Sequence, residues 1–187
     1  ISIHPERSQW QALMTRAIAS TEQLQLSVSN IINNVRQQGD EAIREYAQLF
    51  DGVQINDLKV SESEIAEAQE AISPKLKEAI KVAADNIERF HKAQISQPVT
   101  VETVPGVTCT QRAVPITNVG LYVPGGNSPL FSTVLMLAIP ARLAKCRNIV
   151  LCTPPNKEGK VHPAIIYAAI SAGVTDIFKI GGSQAVA

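Results

Sequence analysis

Three short apolar runs, at residues 119–123, 148–152 and 176–180, constrain this chain more than any other feature. Their starts lie about 28 residues apart, and the stretches between them carry a helical pattern. Strands joined through helices in this way are crossovers, so the pattern predicts βαβαβ, a parallel sheet with helices on its faces. In open sheets of this kind ligands bind outside the carboxyl ends of the strands. Those ends read PGGNSP, TPPNKEGK and GGSQ, and function is expected there.

The residues before the first run divide in two. Residues 1–95 read as a helical segment. A short helix over 8–17 carries Trp10, Leu13, Met14 and Ala17 at i, i+3, i+4, i+7 spacing. A helix over 28–38 stops at Gly39, and Asp40 is placed to cap the next, which closes near Gly52. Ser61-x-x-Glu64 is a capping box for a helix to about Ile72. Ser73-Pro74 then opens a long amphipathic helix on Leu76, Ala79, Ile80, Ala83, Ile87 and Phe90. Residues 99–116 alternate with period two around Pro105-Gly106, a β-hairpin. The predicted organisation is thus a helical segment over 1–95, then a hairpin and an incomplete Rossmann-like, three-layer α/β domain over 96–187.

Seventeen basic side chains balance 17 acidic ones with no basic block, which leaves no electrostatic footprint for nucleic acid or an anionic membrane. No apolar run is long enough to span a bilayer, and the N-terminal residues do not form a signal peptide. Three cysteines without C-x-x-C spacing read as reduced thiols, and a cytoplasmic protein is expected.

Several side chains at the strand ends could carry chemistry. Gly125 and Gly126 permit φ > 0 and close backbone approach, while Asn127 or Ser128 could cap a helix with Pro129 in its first turn. Such a turn suits a phosphate, and equally suits an ordinary capped βα connection. Tyr122 could turn its ring or hydroxyl to a ligand, or lie on a strand face. Gln184 carries an amide that both donates and accepts, suited to a ribose or carboxamide, or sits at the surface of a following helix. Cys152 reads as a small buried hydrophobe rather than a nucleophile. His4, His91 and His162 fit no metal spacing, and the acidic pairs Glu62/Glu64 and Glu67/Glu70 read as solvated helix faces.

The stretch VGLYVPGGNSPLFSTVLMLAIPARLAKCRNIVLCTPP, with GGSQAVA after the third run, closely resembles histidinol dehydrogenases. NVRQQGDEAIREYAQLFD, NIERFHKAQ and VETVPGVTCTQ agree with the same family. The resemblance implies a homodimeric, zinc-dependent oxidoreductase that converts L-histidinol through L-histidinaldehyde to L-histidine, using NAD twice. It further implies that Tyr122 and Gln184 contact NAD. The family's zinc ligands, its Glu-His acid/base pair and a third NAD contact correspond to positions after Ala187. The chain is therefore expected to be a portion of such an enzyme, with no catalytic residue or metal ligand of its own and no turnover by itself. Alternatives are a related zinc/NAD alcohol dehydrogenase of the same family, or a non-catalytic nucleotide-binding or dimerisation module.

Overall fold

The computed structural model describes residues 3–15, 21–126 and 128–187. Asn127, a candidate cap, and Ala17, of the first apolar stripe, lie outside the described residues. The described helices are α1 (Trp10–Met14), α2 (Glu22–Gln38), α3 (Asp40–Tyr46), α4 (Glu62–Ala71), α5 (Pro74–Lys92), α6 (Phe131–Leu143) and α7 (Pro163–Ala172). The strands are β1 (Val99–Val104), β2 (Val107–Gln111), β3 (Asn118–Tyr122), β4 (Asn148–Thr153) and β5 (Asp176–Lys179).

β3, β4 and β5 form a parallel sheet in that order, with Tyr122, Cys152 and Phe178 in one row across it. Because the order runs steadily in one direction, two right-handed crossovers place both connecting helices on the same face. That face presents Leu121, Ile149, Leu151 and Ile177 to α6 and α7. The α7 sequence, PAIIYAAISA, is apolar nearly all round because α7 is enclosed: Ala164, Ile165, Ile166, Ala168, Ala169 and Ala172 are all buried.

The helical segment joins the same core. Val60, Ala68 and Ile80 are buried in one cluster with the sheet residues. Ser61 and Glu64 complete the expected capping box, and Ser73 accepts the Leu76 N–H at the head of α5. Leu76, Ile80, Ala83, Ala84 and Ile87 form the inward stripe of α5, while Ala79 and Phe90 fall outside it and are exposed. Arg142 fastens α6 to its neighbours, donating through Nε to the Ala172 carbonyl and through Nη2 to Glu88.

Residues 58–60 run antiparallel along the outer edge of β5, with Val60 N–H bonded to the Ile177 carbonyl and Lys179 N–H to that of Leu58. An edge that would otherwise offer unpaired backbone groups is thereby closed. The other face of β5 lies under a smaller cluster in which Ile43, Ala47, Val53, Ile55, Leu58 and Ile180 pack with Phe178.

Trp10, Leu13 and Met14 of the first stripe are exposed. Other sequence expectations change. The second helix starts at Glu22, and Asp40 is the first residue of α3, with Gly39 at the cap position. Among the described residues no side chain caps α6, whose N-cap is Leu130, so neither Ser128 nor Pro129 does what the spacing suggested. Glu64 is not a solvated helix-face acid, because it holds the buried Lys179 ammonium at 3.2 Å.

Burial pushes the Glu64 carboxyl up, but the Ser61 N–H and the Lys179 ammonium outweigh it and hold it below the usual carboxylate range. A depressed carboxyl stabilises the fold above its unfolded pKa and loses that contribution as pH falls through the folded value. The denaturant midpoint of Glu64→Gln is therefore expected below wild type at neutral pH, with the gap closing in acid. Leu151→Ala, at a fully buried position on the central strand, is expected to cost about 2–5 kcal/mol in the same experiment.

Candidate functional site

The carboxyl ends of β3, β4 and β5 lie side by side, and Pro154 stands between the outer two. A Cβ added to Gly125 would come 2.7 Å from Pro154 Cγ, and one added to Gly181 would come 2.7 Å from Pro154 Cβ. Both glycines are required because the proline ring occupies the space a side chain would need. Neither has positive φ, so close approach rather than a left-handed backbone explains them. Gly126 has open space around it, while Gly182 does adopt φ +64°.

On the helix side of Pro154 lies a cleft of about 280 Å³, lined among others by Pro124, Gly126, Ser128, Thr153, Pro155 and His162. His162 caps α7, its Nδ1 accepting the Ala164 N–H, so the neutral ring carries its proton on Nε2. Tyr122 and Gln184 do not line this cleft.

Tyr122 and the turn that carries Gln184 meet instead on the other side. The Tyr122 hydroxyl accepts the Gly182 N–H at 3.0 Å, which ties the end of β3 to the turn that follows β5. The hydroxyl's own proton remains free to donate. Gly182 leads into a 3₁₀ turn over Ser183–Ala185 that packs against α2 and α3. Gln184 in this turn is 4% exposed, so it is not the surface residue of a following helix. Its Oε1 is buried without a hydrogen-bond partner, a placement that costs about 1–3 kcal/mol. A Cβ at Gly182 would lie 2.5 Å from that oxygen, so the glycine also makes room for the amide.

Two residues of this crest were not singled out by the sequence. Pro154 gave no signal beyond a proline pair after a strand. Asp51, read only as part of a helix end, reaches the crest from the turn after α3, with Oδ2 3.5 Å from a Cβ added at Gly181. Burial alone pushes its carboxyl up. Cys152 is a half-buried free thiol whose pKa burial also raises, which keeps it protonated and unreactive. Among the described residues no three His, Cys, Asp or Glu side chains converge as a metal would need, so these residues do not fit zinc. No described helix is long and apolar enough to cross a membrane.

Fold and crest define an α/β protein of the open parallel-sheet class, a class in which ligands bind at the carboxyl ends of the strands. Within that class the comparisons are specific. The family model for histidinol dehydrogenase matches residues 14–187. A histidinol dehydrogenase of Bacteroides fragilis is 54% identical over 184 residues, covering 98% of this chain and 43% of that protein. The Escherichia coli K12 histidinol dehydrogenase is 51% identical over 179 residues, 96% of this chain and 40% of that protein. The crystal structure of histidinol dehydrogenase from Elizabethkingia anophelis superposes with a TM-score of 0.91 at 44% identity, over 97% of this chain and 42% of that one. The chain belongs to the histidinol dehydrogenase family, a family of oxidoreductases, and spans about two fifths of the length of these relatives.

Alanine at Gly125 or Gly181 must displace Pro154, at about 1–3 kcal/mol, whereas Gly126→Ala fits without a clash. The expected order in thermal denaturation is Gly126→Ala near wild type and the other two clearly below it.

Proposed function

We propose that this chain supplies one wall of the NAD site of a histidinol dehydrogenase, with Tyr122 and Gln184 as cofactor contacts. The observation that carries the reading is the join at Gly182. One hydrogen bond holds Tyr122 to the turn whose Gln184 amide oxygen lies buried and unpaired. An orphan acceptor beside a free hydroxyl donor is a fit for a ligand rich in both kinds of group. Turning the amide outward to a ligand donor would relieve the cost of its present placement.

When bound, NAD supplies a hydride acceptor, and the residues here bind and orient it rather than react. Residues 96–187 form the cofactor-facing unit in this reading, and residues 1–95 buttress it. The whole enzyme is a cytoplasmic homodimer that oxidises L-histidinol through L-histidinaldehyde to L-histidine with two NAD and zinc. The zinc ligands and the acid/base pair are not among the residues described here.

Titration calorimetry of the 187-residue chain with NAD tests the reading. Gln184→Ala is expected to weaken binding roughly three- to tenfold, the worth of one or two hydrogen bonds. Tyr122→Phe removes both the latch to Gly182 and the free O–H and should weaken binding by a similar factor. Unchanged affinity in both variants rejects the site. With NAD, zinc and L-histidinol together, this chain is expected to form no NADH by absorbance.

A further inference from the structure

Asp51 is a half-buried carboxylate at the rim of the same crest, and nothing in the fold explains it. It ends the π turn that continues α3, Ala47–Asp51, where the helix macrodipole disfavours a negative charge. Burial pushes its carboxyl up, and among the described residues no hydrogen bond or ion pair reaches it. It nevertheless lies against Gly181, one residue from the Gly182 N–H that Tyr122 accepts and three from the unpaired Gln184 amide.

The chemistry of its partner follows from that setting. A phosphate would be repelled by the carboxylate, and among the described residues no three metal-ligating side chains converge to hold a metal ion. An acceptor-only group with two oxygens suits two neighbouring hydroxyl donors. We infer that Asp51 is a third ligand-facing residue of this site and accepts the 2′- and 3′-hydroxyls of one ribose of the bound dinucleotide. This inference rests on the NAD reading above. It gives the site an acceptor for a sugar diol beside the Tyr122 donor and the Gln184 amide, drawn from an element distant in sequence from both.

The test combines a protein change with a ligand change in the whole 187-residue chain. Dissociation constants are measured by calorimetry for wild type, Asp51→Asn and Gln184→Ala against NAD and two analogues. Each analogue lacks the 2′- and 3′-hydroxyls on one ribose, either the adenosine or the nicotinamide one. Asp51→Asn is expected to weaken NAD binding about five- to tenfold. One analogue should bind wild type more weakly than NAD by a similar factor, and Asp51→Asn should lose little further affinity for it. Equal weakening of all three ligands by Asp51→Asn identifies a structural role and overturns the inference. Wild type indifferent to both deletions overturns it too, even if the variant does not fold. If Gln184→Ala weakens NAD while Asp51→Asn does not, Asp51 is excluded and the NAD site stands. Absence of NAD binding by wild type removes both.

Discussion

The crest of the sheet depends on how closely Pro154 can approach its neighbours. The ring stands at the end of the central strand, touching the space above Gly125 on one side and Gly181 on the other. Parallel strands fix their own spacing through backbone hydrogen bonds, but the loops beyond their ends have no such ladder. Here two missing side chains and one rigid ring do that work. The result is a narrow crest on which the β3 end and the β5 turn come close enough for Tyr122 to take the Gly182 N–H.

That closeness separates two compartments. On the side of α6 and α7, the helices bury Ile149, Leu151 and Ile177, with Val119 and Leu121 partly covered, and a small cleft lies beside His162. On the other side, cover is confined to β5, where the Ile43–Val53–Ile180 cluster packs over Phe178. Tyr122 and Cys152 share the Phe178 row but are only half-buried, and Gly120 has open space above it. Gln184 Oε1, buried without a hydrogen-bond partner, and the half-buried Asp51 carboxylate belong to the turns that pack around β5 on the other side. In a stable fold such groups are normally paired, and their exceptions call for an explanation. A ligand approaching from the β3 side explains both with one event.

Much of this was legible in the sequence where a local rule sufficed. The three runs became three parallel strands, the Ser61 capping box formed, and Ser73-Pro74 opened the long helix. What failed were inferences that required knowing what lies nearby in space. Gly125 was open to φ > 0 or to close approach, and which of the two applies depends on Pro154, some 30 residues away. Glu64 looked solvated because its helix face is polar, yet Lys179, from the end of β5, lies buried beneath it. The Trp10 stripe has helical spacing, but spacing alone does not say what it packs on, and its side chains are exposed among the described residues.

Asp51 shows the same limit from the side of function. Its neighbours Phe50 and Gly52 make it read as the fraying end of a helix, and no spacing links it to GGSQ. Only the packing of α3 and its π turn over β5, driven by Ile43, Ala47 and Ile180, carries the carboxylate to Gly181. Apolar burial therefore does two things at once in this segment: it covers one face of the sheet and it delivers a charge to the crest. A charge held there without a cation is costly unless something hydrogen-bonds to it. The raised pKa records that cost in the free chain. A neutral polyhydroxyl partner reduces it, whereas a second anion would add to it. The helical segment is in that case part of the binding surface as well as its support.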